Sequence, residues 1–308
     1  MKLRKLAVFL LASVVSCSAL FTPVSARDVS NGSIPIKVEE YDYETNQVTE
    51  KSIYVNPSTS ISSDSSPSIP DDPGIEPYGL IGTTDRRTKV NPAAAPYDGI
   101  ALLRFDYVNG STSNVGTGFL ISPRVIVTAA HNIKNLQDQW CTNLKVTIAN
   151  TSYPVDFSAV TKNWTANGHL VKDDYGVVVL SKDVTDATYF TLSTATPGNR
   201  TYTVAGYCFW DGGYNLYKHS GTVTAATDSD GSSVYRYKID QISGQSGSPL
   251  YNSSNRVIGI NAYELGGDFV KLDPNDHTSH RVNCSNNEAV RITSSIISFY
   301  NGYVSENQ

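Results

Sequence analysis

The sequence predicts an all-β protein: two groups of six short antiparallel strands, each able to close into a barrel, followed by one C-terminal helix. Three observations carry that expectation. Tyr, Thr, Val and Ser are abundant, with 19 tyrosines against a single methionine, and such residues fit a pleated, half-buried surface. Short apolar runs follow one another between Gly, Asn, Asp and Pro, without the strand–helix alternation that marks a parallel sheet. With 40% apolar and 17% charged residues among 308, the chain can build a real core, as one large domain or two small ones. A net charge of -5, with no Lys/Arg cluster in the body of the chain, argues against nucleic acid as a partner.

In chain order, residues 1–26 read as a signal peptide. Lys2, Arg4 and Lys5 open it, residues 6–20 form an apolar run too short to span a membrane, and Val24-Ser25-Ala26 offers small residues for cleavage before Arg27. Val14-Val15-Ser16-Cys17 loosely fits a lipoprotein box that would leave the protein anchored through Cys17, but the secretory pattern fits better. The expected product is therefore secreted, with no stable membrane insertion. Residues 27–78 read as a propeptide. Residues 34–55 alternate like strands, whereas residues 56–78 are crowded with Ser, Pro and Asp and cannot bury enough surface to fold alone.

The first six strands are expected at 100–107, 115–122, 125–128, 144–149, 153–160 and 177–180, with Ser122-Pro123-Arg124 as a turn. The second six are expected at 202–209, 216–225, 234–239, 249–251, 257–263 and 269–272. The two barrels then take about 81–188 and 189–292. Thr293 is expected to cap a helix running to Tyr303, with Ile296, Ile297 and Tyr300 as its apolar stripe.

Three separated stretches carry chemistry. Gly244-Gln245-Ser246-Gly247-Ser248-Pro249 sets a serine between glycines whose backbone can take positive φ. With Ser246 as nucleophile, the amides of Gly244 and Ser246 can converge on the oxyanion of a tetrahedral intermediate. Taken alone the string also reads as a surface turn. Val125-Ile126-Val127-Thr128-Ala129-Ala130-His131 is a buried strand delivering an imidazole at its tip. Asp173-Asp174-Tyr175-Gly176-Val177-Val178-Val179-Leu180 sets a carboxylate before another buried strand, where it needs a partner such as His131. Asp174 is preferred over Asp173, which reads as a solvated neighbour. The order His131, Asp174, Ser246 is one of the known orders of a nucleophile, base and orienting-acid triad. Ser248 stands where the Gly-x-Ser-x-Gly elbow of α/β hydrolases needs its second glycine, which argues against that fold. His169, His219, His277 and His280 lie in less regular contexts and read as structural or exposed, although His219 could approach the pocket.

On these motifs the chain resembles the glutamyl endopeptidase group of secreted bacterial serine proteases of chymotrypsin fold. The resemblance also takes in Ile81-Gly82-Thr83, Arg87-Thr88-Lys89-Val90 and Val290-Arg291-Ile292-Thr293, and so runs over about residues 79–304. It implies a zymogen cut near Tyr78-Gly79, a mature domain at 79–308, and a monomeric endopeptidase acting on polypeptides, with His131, Asp174 and Ser246 as the triad. The substrate pocket would be walled by Asn261, Asp240 and Ser243. In the family a histidine that helps bind the substrate carboxylate follows Gly-Ile; here that residue is Asn261, which weakens the expected preference for Glu. Asp240 lies six residues before Ser246, a spacing that in trypsin-like enzymes serves Lys or Arg. Cys141, Cys208 and Cys284 allow three different single disulfides, and the sequence does not choose. No Cys-x-x-Cys or His-x-x-x-His spacing occurs, and neither a metal nor a cofactor is expected. The other readings are a non-catalytic surface-binding protein on the same fold, an adhesin for example, and an esterase.

Overall fold

The computed structural model describes residues 34–55, 79–107, 114–266, 268–270 and 280–307. The expected signal peptide, Cys17, the linker at 56–78 and His277 lie outside the described residues.

The chain opens with a hairpin, β1 (Ile34–Asp42) and β2 (Gln47–Val55). The Asp42 carboxylate closes its turn by accepting the amides of Glu44 and Thr45, both at 2.8 Å. A short β3 (Thr88–Lys89) precedes the first group: β4 (Ile100–Tyr107), β5 (Asn114–Leu120), β6 (Val125–Thr128), β7 (Cys141–Ile148), β8 (Thr151–Tyr153), β9 (Val155–Thr161) and, after a helical turn α1 (Lys162–Ala166), β10 (Gly176–Leu180). The second group is β11 (Thr191–Leu192), β12 (Thr201–Trp210), β13 (Gly213–Thr227), β14 (Ser233–Tyr237), β15 (Pro249–Tyr251) and β16 (Arg256–Leu265), then β17 (Asp268–Val270), β18 (His280–Val282) and β19 (Asn286–Arg291). The chain ends in α2 (Ser294–Glu306), capped as expected by the Thr293 hydroxyl, which accepts the amide of Ile296 at 3.3 Å.

The fold is all-β with a C-terminal helix, but only one of the two sheets closes. In the second, β16, β15, β12, β13, β14 and β19 pair in that order, and β19 returns to β16, making a six-stranded barrel. Its sixth strand is β19 and not the expected strand at 269–272; β17 pairs with β18 in a separate ribbon. The Asn-Asn-Glu-Ala sequence of β19 hides its strand nature, because Glu288 is buried against Arg236 instead of facing solvent. The first sheet stays open. The expected strand at 153–160 is split by Pro154, which has no amide to donate, into β8 and β9. β8 pairs only with β7, and the free edge of β9 is taken by β1, Val38 facing Thr161 and Asp42 facing Phe157.

The segment expected to be a propeptide is thus partly a component of the sheet. Val38 and Ile53 are buried in the same core as β6, β10 and α2, and Tyr41 is buried with its ring stacked on Trp140. A Cβ placed on Gly302 of α2 would stand 2.2 Å from Ile53 Cγ2, so the helix approaches the hairpin closely only because it has glycine there. Burial in α2 falls on Ile296, Phe299, Tyr300 and Tyr303, with Ile297 at the margin of the stripe.

Candidate active site

The two sheets meet at a cleft to which each brings different groups. β6 runs as four buried residues into Ala129 and Ala130, both fully buried, and a 3-10 turn presents His131 at the tip. Asp174 follows the turn at Val171–Asp173 and leads into β10, every residue of which is buried. Its carboxylate is 0% exposed. One oxygen accepts the backbone amide of His131 at 2.9 Å, the other lies 2.7 Å from His131 Nδ1. That pairing meets the need of a buried carboxylate for partners and fixes the ring so that Nε2 faces Ser246 Oγ, to which it is hydrogen-bonded. Tyr300 of α2 donates to the carbonyl of Gly176 at 3.0 Å, tying the helix to the strand behind Asp174. Asp173 stands outside this array. It is buried rather than solvated, accepts from Asn167 at 2.8 Å, and burial raises its carboxyl above the usual range.

Ser246 sits in a tight loop from the closed barrel. Gly244 and Gly247 adopt φ of +97° and +82°, and a side chain at Gly247 would begin 2.1 Å from the carbonyl oxygen of Thr117. Within the loop the amide of Gln245 donates to Ile242, Gly247 to Asn261 and Ser248 to Gln245. The amides of Gly244 and Ser246 donate to no described residue. The loop is fastened to the other sheet. The Ser246 carbonyl accepts from the Thr117 amide at 2.8 Å and from Asn132 Nδ2 at 2.9 Å. Thr117 Oγ1 donates to Gly244 O at 2.9 Å. Neither Thr117 nor Asn132 stands out in the sequence: each is a common polar residue beside a motif.

The three expected pocket residues fall differently. Ser243 is half-buried just before Gly244. Asn261 is 0% exposed with both ends of its carboxamide committed: Oδ1 accepts from Tyr237 Oη, and Nδ2 donates to the carbonyl of Gln245 at 2.8 Å. It is a post of the serine loop. Asp240 is also buried and its carboxylate is filled. Arg86 donates to it in a fork at 2.8 and 2.7 Å, and the amides of Arg86 and Ile81 add bonds at 3.0 and 2.9 Å. The carboxylate that the spacing offered to a basic substrate side chain therefore already holds an arginine of its own chain. His219 does lie beside it, its Nδ1 accepting the Asp240 amide at 2.7 Å; burial, opposed in part by the Asp240 charge, pushes it below the ordinary imidazole range. Tyr263, in the β16 wall, sets its ring 5.8 Å from that of His131.

Cys141, Cys208 and Cys284 are free thiols and buried, so none of the three possible disulfides is present. Burial pushes Cys141 up to about 12 and Cys284 up to about 11, which keeps them protonated and unreactive. Among the described residues no group of three or more His, Cys, Asp or Glu comes together as a metal site. No helix among them is long and apolar enough to cross a membrane.

An imidazole held between a buried carboxylate and a serine hydroxyl, beside two unengaged amides, is an arrangement able to activate the hydroxyl and to receive an oxyanion. Residues 116–260 match the family described as the trypsin-like peptidase domain. The chain is similar to a glutamyl endopeptidase of Bacillus licheniformis, 28% identical over an alignment of 199 residues that covers 59% of this chain and 58% of that protein. It is similar to the same degree to a Bacillus subtilis protein named extracellular metalloprotease, 28% identical over 197 residues, 58% of this chain and 59% of that one. The chain thus covers less than two thirds of either relative. A solved glutamyl endopeptidase in complex with MPD superimposes with a TM-score of 0.58 at 23% identity, over 74% of this chain and all of that one, a likeness of fold.

Proposed function

We propose that this protein is a secreted serine endopeptidase. The observation that carries the reading is the continuous chain from Asp174 through His131 to Ser246 Oγ beside two unengaged amides. Ser246 Oγ attacks the peptide carbonyl while His131 Nε2 takes its proton. His131 then returns that proton to the leaving amine. Asp174 holds the ring and stabilises the imidazolium. The amides of Gly244 and Ser246 receive the oxyanion. Water, deprotonated by the same imidazole, hydrolyses the acyl-enzyme.

Secretion rests on the signal-peptide pattern of residues 1–26, and maturation on the cleavable linker before Gly79. A preference for Glu is supported by the similarity to glutamyl endopeptidases. Selectivity over Gln is weak, because Asn261 stands where the family has histidine and its carboxamide is already spent on Tyr237 and Gln245. Lys and Arg are disfavoured, since Asp240 is neutralised by Arg86. The test is digestion of a peptide library with cut sites read by mass spectrometry, followed by kcat/KM for matched Glu, Gln, Lys and Leu substrates. Cleavage lost in Ser246→Ala, with Glu ahead of Gln by about tenfold or less, fits the proposal. No cleavage by the parent would point to a binding protein, and a lead for Lys would return Asp240 to the pocket.

A further inference from the structure

Segment 79–90 is bound to the closed barrel, although it precedes the first sheet in the chain. Leu80 is buried and exchanges backbone hydrogen bonds with Arg281 and Cys284, and β3 pairs with β13. Its most unusual residue is Arg87, whose guanidinium is 0% exposed. Nε and Nη2 donate to Asp85 at 2.9 and 2.8 Å. Burial alone would raise the Asp85 carboxyl, but the Arg87 hydrogen bonds and charge outweigh it and hold it below the usual range. The rings of Trp210 and Tyr217 lie 5.2 and 5.0 Å from the guanidinium carbon. The remaining arm, Nη1, donates to Gln245 Oε1 at 3.2 Å.

Gln245 is the residue between the two amides assigned to the oxyanion. Its side chain is fully buried; Oε1 also accepts the Ile242 amide at 3.0 Å, and Nε2 points to the carbonyls of Gly206 and Tyr217, each at 3.4 Å. A long side chain pinned at its tip fixes the peptide planes on either side of its own Cα, and those planes carry the amides of Gln245 and Ser246. We propose that Arg87 is the positioning residue of the oxyanion loop: through Gln245 it holds the Ser246 amide, and the Gly244–Gln245 peptide that follows the Gly244 amide, in place, and does so in the uncut chain, with no freed terminus required. Two facts favour this. The residue before the nucleophile is a neutral glutamine, which offers a newly exposed α-amino group no carboxylate to pair with. Of the buried carboxylates nearby, Asp240 is already paired with Arg86 and Glu264 with Arg281.

The inference rests on the triad reading, and the experiment separates the two. A fluorophosphonate, which gives up fluoride as Ser246 Oγ bonds to phosphorus, is reacted with the uncut protein and with protein cut before Gly79. Mass spectrometry locates the adduct, and steady-state kinetics are run on a matched peptide substrate. The expected result is labelling of Ser246 in both forms at rates within a few-fold. Arg87→Met should lower kcat about 10- to 100-fold with KM nearly unchanged, the signature of displaced transition-state donors. Arg87→Lys, which keeps a donor, should recover part of that loss. Ile53→Ala, remote from the loop, serves as the control: assayed well below its melting temperature it should keep kcat even where its Tm falls as far as that of Arg87→Met. An Arg87→Met enzyme with parental kcat, or a loss matched by the control at equal Tm, overturns the proposal. So does labelling that begins only after the cut. No labelling of Ser246 in either form overturns the triad reading and this proposal together.

Discussion

The two halves of the cleft solve the same problem in opposite ways. The half that delivers His131 and Asp174 is an open sheet whose last edge, β9, is covered by a hairpin from the N-terminal segment. An uncovered edge presents unpaired amides and carbonyls and invites pairing with another chain. The hairpin removes that edge and adds Val38 and Ile53 to the core. It also reaches the histidine loop: Lys134, three residues beyond His131, donates to Glu39 at 2.6 Å. The half that delivers Ser246 closes on itself through β16 and β19 and has no bare edge. What it lacks is regular structure at the site, because its loop needs two glycines at positive φ and is held by side chains: Thr117, Asn132, Asn261 and Gln245. The difference teaches that the half bearing His131 and Asp174 depends on the rest of the chain for stability, and the half bearing Ser246 for conformation.

The largest effect expected from breaking this division of labour is on chemistry alone. Ser246→Ala should reduce kcat by roughly 10⁶-fold and leave the melting temperature close to the parent, since the hydroxyl contributes one hydrogen bond to an otherwise fixed loop. A large fall in Tm would show that the serine is a structural member of its half. Asp174→Asn should cost about 10⁴-fold in kcat by presenting the wrong partner to His131 Nδ1, measured with the same peptide substrate; a loss under tenfold would remove Asp174 from the role assigned to it.

Stability should break along the other half. Ile53→Ala removes a buried side chain that joins the hairpin to α2, and should lower unfolding free energy by about 2–5 kcal/mol. Native-state hydrogen exchange should then quicken first in β9 and β10 and last in β12–β16; uniform acceleration would mean that the two halves unfold as one unit. Gly302→Ala presses a methyl against Ile53 from the opposite side and should cost about 1–3 kcal/mol, read from the denaturation midpoint. The smallest effect should come from pH. His219 is held below the ordinary imidazole range, so the unfolded chain binds its proton at higher pH than the folded one, and stability is full above about 6.5. It should fall as pH drops from that value through the lower folded pKa, where protonating Nδ1 forfeits the Asp240 amide bond. His219→Gln should flatten the Tm curve in that window, and an unchanged curve would assign the acid sensitivity elsewhere.

Much of this was legible in the sequence because it is written locally. Short apolar runs between turn residues marked β4, β6 and β15 to the residue, Thr293 announced α2, and the three motifs named His131, Asp174 and Ser246, which the fold brings within hydrogen-bonding reach. Neighbours in the chain determine such features: β-branched apolar runs favour an extended backbone, a hydroxyl caps its own helix, and glycines permit a turn wherever it falls. What only the tertiary structure decided lies in pairings between residues far apart. Arg86 finds Asp240 across 154 positions, and Arg87 finds Gln245 across 158. β1 finds the edge left free by β9, and Asn261 turns to the serine loop. No window of sequence marks these partners, since a buried polar group is satisfied by whichever complementary atom the packed chain brings to it. For that reason the sequence could point to the residues that the fold brings together, while the fold decided which of their neighbours already had partners of their own.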